Sequence, residues 1–271
     1  HYAVRGRLRR LIVATAPLLL FYSTVYYTDA LGTALLLGTR RALAGKRWAA
    51  AGALAVMAML TRQTNAVWAA FAVADDVLRI SRHGRSKHLH IKFGHLFVAL
   101  VIGASCAGFL FWNGGIAIGD REHHQLTAHP VHFLLACIGL VLLAWPSISI
   151  LELFRRHWMP LWATAAAPIV LSLLFTFRPH PYNTSDHRHL TTFFVQHTLL
   201  PIERRLIWVL PMTAALFLVY AQLAHRRGPL YSLLFLAALF ASVGLSGLVE
   251  PRYWMPAVTL FMQQCRASRR Q

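Results

Sequence analysis

Long apolar blocks separated by short polar connections are the feature that most constrains what this chain can fold into. Of its 271 residues, 57% are hydrophobic and only 13% are charged. A helix of about 20 apolar residues crosses the roughly 30 Å hydrocarbon core of a bilayer, and soluble domains seldom contain several such blocks. The blocks predict transmembrane spans at residues 11–27, 48–60 continuing into 66–77, 93–112, 131–151, 158–177, 206–223 and 230–249.

Three shorter apolar blocks, residues 30–43, 191–200 and 254–262, are predicted to be partial, tilted or re-entrant spans. A chain in lipid must satisfy its backbone polar groups within itself, and helices do this locally. The sequence therefore predicts an all-α, polytopic transmembrane helical bundle of about eight to ten spans or partial spans. Because no repeat or soluble catalytic pattern interrupts residues 1–271, we interpret them as a single transmembrane domain.

Basic residues lie in short clusters at the ends of the apolar blocks. A net charge of +18 would indicate nucleic-acid binding in a soluble chain, but this placement indicates membrane orientation instead, and no nucleic-acid partner is predicted. The clusters predicted to face the cytoplasm are residues 5–10, 40–41, 46–47, 79–92 and 155–156. The connections 62–65, 114–130 and 178–189 then share the opposite face. The orientation after residue 190 stays open.

A charged and amide-rich cluster, residues 61–65, interrupts the second predicted span. An ionised arginine in hydrocarbon costs about 2.5 kcal/mol or more, so such a side chain usually points at a cavity, a partner or a substrate. Arg62 supplies a cationic fork, and Gln63 and Asn65 supply amides, which suits a phosphate or several sugar hydroxyls. The alternative is a polar kink that neighbouring helices satisfy.

Further titratable side chains lie on the same predicted face. They are Asp29, Asp120, Arg121, Glu122, His123, His124, Asp186, Arg188 and His189. A further cluster, Glu250, Arg252 and Tyr253, lies in the part of the chain whose orientation stays open. Solvated loops and an interfacial salt bridge between Glu250 and Arg252 are the alternative interpretation. Adjacent histidines lack the i, i+4 spacing of strong zinc sites, so no metal site is predicted.

The motifs YYTD at 26–29, RQTN at 62–65, GDREHH at 119–124, HPYNTSDHRH at 180–189 and EPRYWMP at 250–256 together resemble the dolichyl-phosphate-glucose-dependent α-1,2-glucosyltransferase family. This family adds the terminal glucose to the lipid-linked oligosaccharide of N-glycosylation. The resemblance implies a GT-C-like, multi-pass protein of the endoplasmic reticulum membrane with a luminal active face. It also implies inverting transfer from dolichyl-phosphate-glucose to Glc2Man9GlcNAc2-PP-dolichol, without a cofactor; whether a metal assists stays open.

The resemblance also implies roles for individual residues. Related enzymes carry their general base in a first luminal loop, which we expect upstream of His1, so the chain is expected to be an N-terminal truncation. Asp29, Asp120 and Asp186 are the fallback bases. Arg62 and Arg188 would stabilise the leaving phosphate. The other substrate contacts implied are Gln63, Asn65, Asp120, Arg121, His123, Asp186 and His189, with Glu250, Arg252 and Tyr253 bracing the last helices.

Two other functions stay open at this point. A transporter or scramblase of a polyprenyl-linked sugar would line a pathway with the same polar groups. Transporters usually place ionisable residues in mid-span and on both sides, whereas here they concentrate at one face, which favours an enzyme. A membrane acyltransferase built around His123 or His124 would instead use an acyl thioester or a phospholipid.

Overall fold

The computed structural model of the protein describes residues 27–82, 89–114, 130–144, 166, 202–245 and 251–265. Every regular element in these ranges is helical, which confirms the predicted all-α class for this part of the chain. The chain divides into two compact units, His1–Gly119 and Asp120–Gln271. The number of spans and their union in a single transmembrane domain stay predictions.

Four helices form the described part of the first unit: α1 is Tyr27–Ala44, α2 is Trp48–Thr61, α3 is Asn65–Arg82 and α4 is Leu89–Asn113. The block predicted as a partial span at 30–43 thus lies within an 18-residue helix, which rises about 27 Å. Among the described helices, Phe93–Asn113 alone is both long and apolar enough to cross a membrane, while Trp48–Thr61, His132–Leu142 and Pro229–Gly244 are apolar but shorter.

Residues 48–77 form two helices, which corrects the prediction of a span continuing through them. Arg62 ends α2 in an extended conformation, with φ −163° and ψ 126°. The Ala58 carbonyl accepts hydrogen bonds from the Arg62 backbone N–H, Thr61 Oγ1 and Asn65 Nδ2. Polar side chains that satisfy the last carbonyls of a helix stabilise its end, so the chain reverses here.

Successive helices of the first unit run in alternating directions. Gly38 faces Leu54, and Gly32 faces Thr61, so α1 and α2 are antiparallel. Arg40 near the end of α1 pairs with Asp75 near the end of α3, so these two helices run the same way. Likewise, α4 runs parallel to α2, because Trp48 contacts Gly94 and Met59 contacts Cys106.

This alternation separates the polar residues of the first unit into two ends. One end collects the cations Arg40, Arg41, Lys46, Arg47, Arg79 and Arg82. The other end holds the start of α1 and the reversal between α2 and α3, which contains Arg62. For the described cations of clusters 40–41, 46–47 and 79–92, the arrangement agrees with the prediction that they share one side and residues 62–65 lie opposite. The placement of clusters 5–10 and 155–156 stays a prediction.

The described part of the second unit contains α5 (Pro130–Ala144), α6 (Ile202–Arg227) and α7 (Pro229–Leu239). A π-helical turn, Phe240–Gly244, extends α7, and a 3-10 turn, Pro251–Trp254, precedes α8 (Met255–Cys265). Gly228 joins α6 to α7 at φ 80°, a left-handed conformation that glycine adopts without steric cost. The largest fully buried side chains of this unit are Tyr231, Phe217, Phe235, Phe261, Leu134, Leu140, Met212 and Leu223.

Candidate functional site

An ion pair joins the start of α1 to the reversal between α2 and α3. Arg62 Nε donates to Asp29 Oδ1 at 2.8 Å, and the side chains are 19% and 3% exposed, respectively. A buried charge is tolerated when it is paired and hydrogen-bonded. The contact therefore brings together two of the predicted clusters, residues 26–29 and 62–65, and fixes the direction of the Arg62 guanidinium.

Asn65 is buried beside this pair and stabilises the reversal. Its Nδ2 donates to the Ala58 carbonyl at 3.0 Å and to Thr61 Oγ1 at 3.2 Å. An amide nitrogen has two protons, so both are used inside the protein. A substrate contact by Asn65, which stays a prediction, would therefore fall to Oδ1.

Gln63 lies in the turn between α2 and α3 and is only half-buried. Its backbone carbonyl accepts the Ala66 N–H at 3.0 Å. Its side chain makes no hydrogen bond within the part of the chain that the structure describes. Two amides are predicted to contact substrate, Gln63 and Asn65. Of these, Gln63 is the one whose side chain makes no hydrogen bond to another described residue.

Gly32 is essential to the close packing of this end. A Cβ at position 32 would lie 2.5 Å from Asn65 Nδ2 and 2.6 Å from Thr61 Oγ1. We expect Gly32→Ala to displace both side chains and to lower the free energy of unfolding by about 1 to 3 kcal/mol. Thermal unfolding in detergent checks this. Gly103→Ala is the matched control, because among the described residues no heavy atom beyond its own stretch of helix lies within 4 Å of the added Cβ. Equal losses in the two variants would contradict the packing argument.

A second polar cluster occupies the opposite end of the first unit. Arg40 Nη2 donates to Asp75 Oδ2 at 2.6 Å, and His95 Nε2 lies 2.9 Å from Asp76 Oδ2. Arg79 also pairs with Asp76. Both carboxylates are buried, and their partners come from α1, α3 and α4. The sequence interpretation missed this cluster, although the Asp76 and Arg79 spacing of three residues on one helix is a signal for a pair.

In the second unit, the predicted bracing segment is anchored on α5. The turn Pro251–Trp254 contains Arg252 and Tyr253. The Tyr253 ring lies 6.3 Å from the His132 ring between centroids, and Trp254 Nε1 donates to His132 Nε2 at 3.0 Å. The sequence interpretation singled out neither His132 nor Trp254; an isolated histidine inside an apolar block was the available signal.

The remaining predicted site residues lie outside the described residues, and their roles stay predictions. They are Asp120, Arg121, His123, His124, Asp186, Arg188, His189 and Glu250. Within the ranges that are described, no group of three or more His, Cys, Asp or Glu side chains is placed to hold a metal ion. Of the predicted site, the structure therefore describes Arg62 at the helix reversal and the turn 251–254 that packs on α5.

Comparisons with known proteins cover most of the chain. The model of the DIE2/ALG10 family matches residues 3–96 and 86–263. The chain is 23% identical, over 95% of its length, to the Dol-P-Glc:Glc(2)Man(9)GlcNAc(2)-PP-Dol alpha-1,2-glucosyltransferase of Debaryomyces hansenii. It is 27% identical, over 95% of its length, to the protein of the same name from Drosophila melanogaster.

The protein of that name from Arabidopsis thaliana is 20% identical over 93% of the chain. The chain spans 63% of the Debaryomyces protein, and 65% of both the Drosophila and the Arabidopsis proteins. It therefore corresponds to just under two thirds of the length of these relatives. No solved structure matches the chain.

Proposed function

The chain belongs to the DIE2/ALG10 family, and from this membership we propose that it transfers glucose from dolichyl-phosphate-glucose to Glc2Man9GlcNAc2-PP-dolichol through an α-1,2 linkage. The names of the Debaryomyces, Drosophila and Arabidopsis relatives support this donor and this acceptor. They favour a transferase over a transporter or an acyltransferase. The proposed partners are the two lipid-linked sugars and the surrounding membrane lipid, with no cofactor.

The observation that carries the proposal is the fixed guanidinium at the helix reversal. In the proposed inverting reaction, an acceptor hydroxyl oxygen attacks the anomeric carbon of glucose as the bond from that carbon to the phosphate oxygen breaks. The hydroxyl proton passes to a carboxylate base, and dolichyl phosphate leaves with the bonding electrons. Negative charge grows on the phosphate, and a cation held in position stabilises that charge without reorganising. Asp29 supplies this fixation for Arg62.

We assign Asp29 to positioning and not to proton abstraction, because its carboxylate binds the Arg62 guanidinium at 2.8 Å. The general base is proposed to be a carboxylate upstream of His1, with Asp120 and Asp186 as the fallback bases. Arg188 is proposed as a second cation for the phosphate. Asp120, Arg121, His123, Asp186 and His189 are proposed to orient the sugars, with Gln63 and Asn65 setting the register.

We also propose a multi-pass arrangement in the endoplasmic reticulum membrane, with the Arg62 end in the lumen. The cations at the opposite end of the first unit support this orientation, since cytoplasmic ends of spans are enriched in Lys and Arg. The large apolar side chains exposed along α4 support contact with lipid; they are Phe93, Leu96, Phe97, Leu100, Leu110, Phe111 and Trp112.

A test in cells separates this function from its alternatives. The protein, expressed from its complete coding sequence, is introduced into cells that lack their own dolichyl-phosphate-glucose α-1,2-glucosyltransferase. We expect the lipid-linked oligosaccharide to gain the mass of one hexose. The added hexose should be a terminal glucose in α-1,2 linkage and should resist mannosidase. A membrane-inserted protein that leaves the diglucosylated precursor unchanged would contradict the proposal and favour transport.

A further inference from the structure

The indole of Trp254 is bound by a buried histidine of α5. His132 is fully buried, and its Nε2 accepts the Trp254 Nε1–H at 3.0 Å. An indole nitrogen can only donate, so Nε2 carries no proton and the imidazole is the neutral tautomer with its proton on Nδ1. His132 thus acts here as a hydrogen-bond acceptor of fixed tautomer.

A second residue on the same face of α5 receives the ring of Trp254. A Cβ at Gly139 would lie 2.6 Å from Trp254 Cζ3 and 2.9 Å from its Cε3, so the absence of a side chain lets the indole pack directly on the helix. His132 and Gly139 are seven residues apart, a spacing that places both on one helical face. Position and orientation of the indole are therefore both determined by α5.

The residues on either side of Trp254 extend this anchoring. The Tyr253 ring approaches His132 edge-on, with centroids 6.3 Å apart. Met255 and Ala257, at the start of α8, are almost completely buried. The turn Pro251–Trp254 thus has its last residue held against α5 and runs directly into a buried helix, which limits the movement of the backbone of this turn.

We propose that His132 is a positioning residue for the transferase: by binding Trp254 it holds the turn that carries Arg252 and Tyr253 in the geometry that the lipid-linked substrates require. The inference rests on the proposed function, because it assumes that the turn Pro251–Trp254 borders the substrate site. His132 itself acts through Trp254 and takes no part in the chemical step. Small displacements of positioning groups cost up to about 100-fold in rate.

The test uses the protein expressed from its complete coding sequence, with transfer measured per folded molecule. His132→Leu removes the acceptor, and Trp254→Phe removes the donor together with part of the ring that packs on Gly139. We expect each variant to lower kcat/KM by about 10-fold, and we expect this decrease to come from a higher KM for one lipid-linked substrate. The double variant is expected to be no worse than Trp254→Phe alone, since that variant has already lost the hydrogen bond to His132. His132→Gln, whose amide oxygen can accept the indole proton, is expected to retain most activity.

Three outcomes would overturn the inference while the wild-type protein transfers glucose. A lower kcat per folded molecule with unchanged KM values would show that the contact affects the chemical step and not the binding of the lipid-linked substrates. Additive losses in the double variant would show that His132 and Trp254 act independently. Wild-type rates in both single variants would show that the contact has no role in transfer. A wild-type protein that transfers no glucose would instead refute the proposed function, which keeps the two failures distinguishable.

Discussion

Replacing Arg62 with alanine is expected to lower the rate of glucosyl transfer by about 100-fold or more. The guanidinium is held by Asp29 at 2.8 Å, so its charge is already in place when the phosphate begins to leave. Without the Arg62 guanidinium, the negative charge that develops on the phosphate in the transition state loses a preorganised stabilising interaction. Arg62→Lys is expected to recover only part of the rate, because an ammonium lacks the planar fork that binds two phosphate oxygens. The measurement is the initial rate with dolichyl-phosphate-glucose, normalised to folded protein.

Arg40→Ala is the matched control for this prediction. It removes a guanidinium from an ion pair of similar length, Arg40 with Asp75 at 2.6 Å, at the opposite end of the same helical unit. Both variants lose a paired cation and should lose stability, but only Arg62→Ala should lose transfer per folded molecule. The assignment of Arg62 to the leaving phosphate would be contradicted if Arg62→Ala transferred glucose within twofold of the wild-type rate. It would also be contradicted if Arg40→Ala lost as much transfer per folded molecule as Arg62→Ala.

The second large effect is expected from Asp29→Asn. This change leaves the partly buried Arg62 without its carboxylate, and breaking a buried pair on one side costs about 3 kcal/mol in the free energy of unfolding. Asp29→Asn combined with Arg62→Gln is expected to cost less than the sum of the single changes, because the unpaired charge is then absent. Chemical unfolding of the three variants in detergent measures the coupling.

Activity of the folded Asp29→Asn protein separates positioning from proton abstraction. A positioning role predicts about a 10-fold loss, since Arg62 remains present but is less well oriented. An Asp29 that served as the general base would instead leave almost no transfer in a protein that still folds, and additive unfolding free energies would show that the two residues are not coupled. The first result would return Asp29 to its fallback role as a base, and the second would contradict the energetic coupling of Asp29 with Arg62.

The sequence predicted the helical class and singled out Arg62 as a candidate site residue because both inferences follow from local signals. Apolar blocks of this length predict helices in a membrane. A charged side chain between them is costly in hydrocarbon, so it usually faces a cavity, a partner or a substrate. The pairing of Arg62 with Asp29 was not predictable, because it depends on how α1 packs against α2. That packing requires Gly32, whose missing side chain gives Asn65 and Thr61 their space.

The boundary between α2 and α3 shows a second limit of prediction from the sequence. An apolar pattern on both sides of a polar cluster fits a kinked span and a reversal equally well. The packing of α1 against α2 and the Arg40–Asp75 pair between α1 and α3 distinguish them, and both are visible only in three dimensions. His132 was missed for a related reason. Its partner Trp254 lies 122 residues further along the chain, beyond any local pattern.

The most direct test of the account is transfer by the purified, full-length protein. Dolichyl-phosphate-glucose and Glc2Man9GlcNAc2-PP-dolichol are supplied in detergent or liposomes, and the product is read by mass and by linkage. The account predicts the gain of one glucose through an α-1,2 bond by wild type, and its loss in Arg62→Ala. A folded protein that adds no glucose to this acceptor, or adds it equally well without Arg62, would contradict the account.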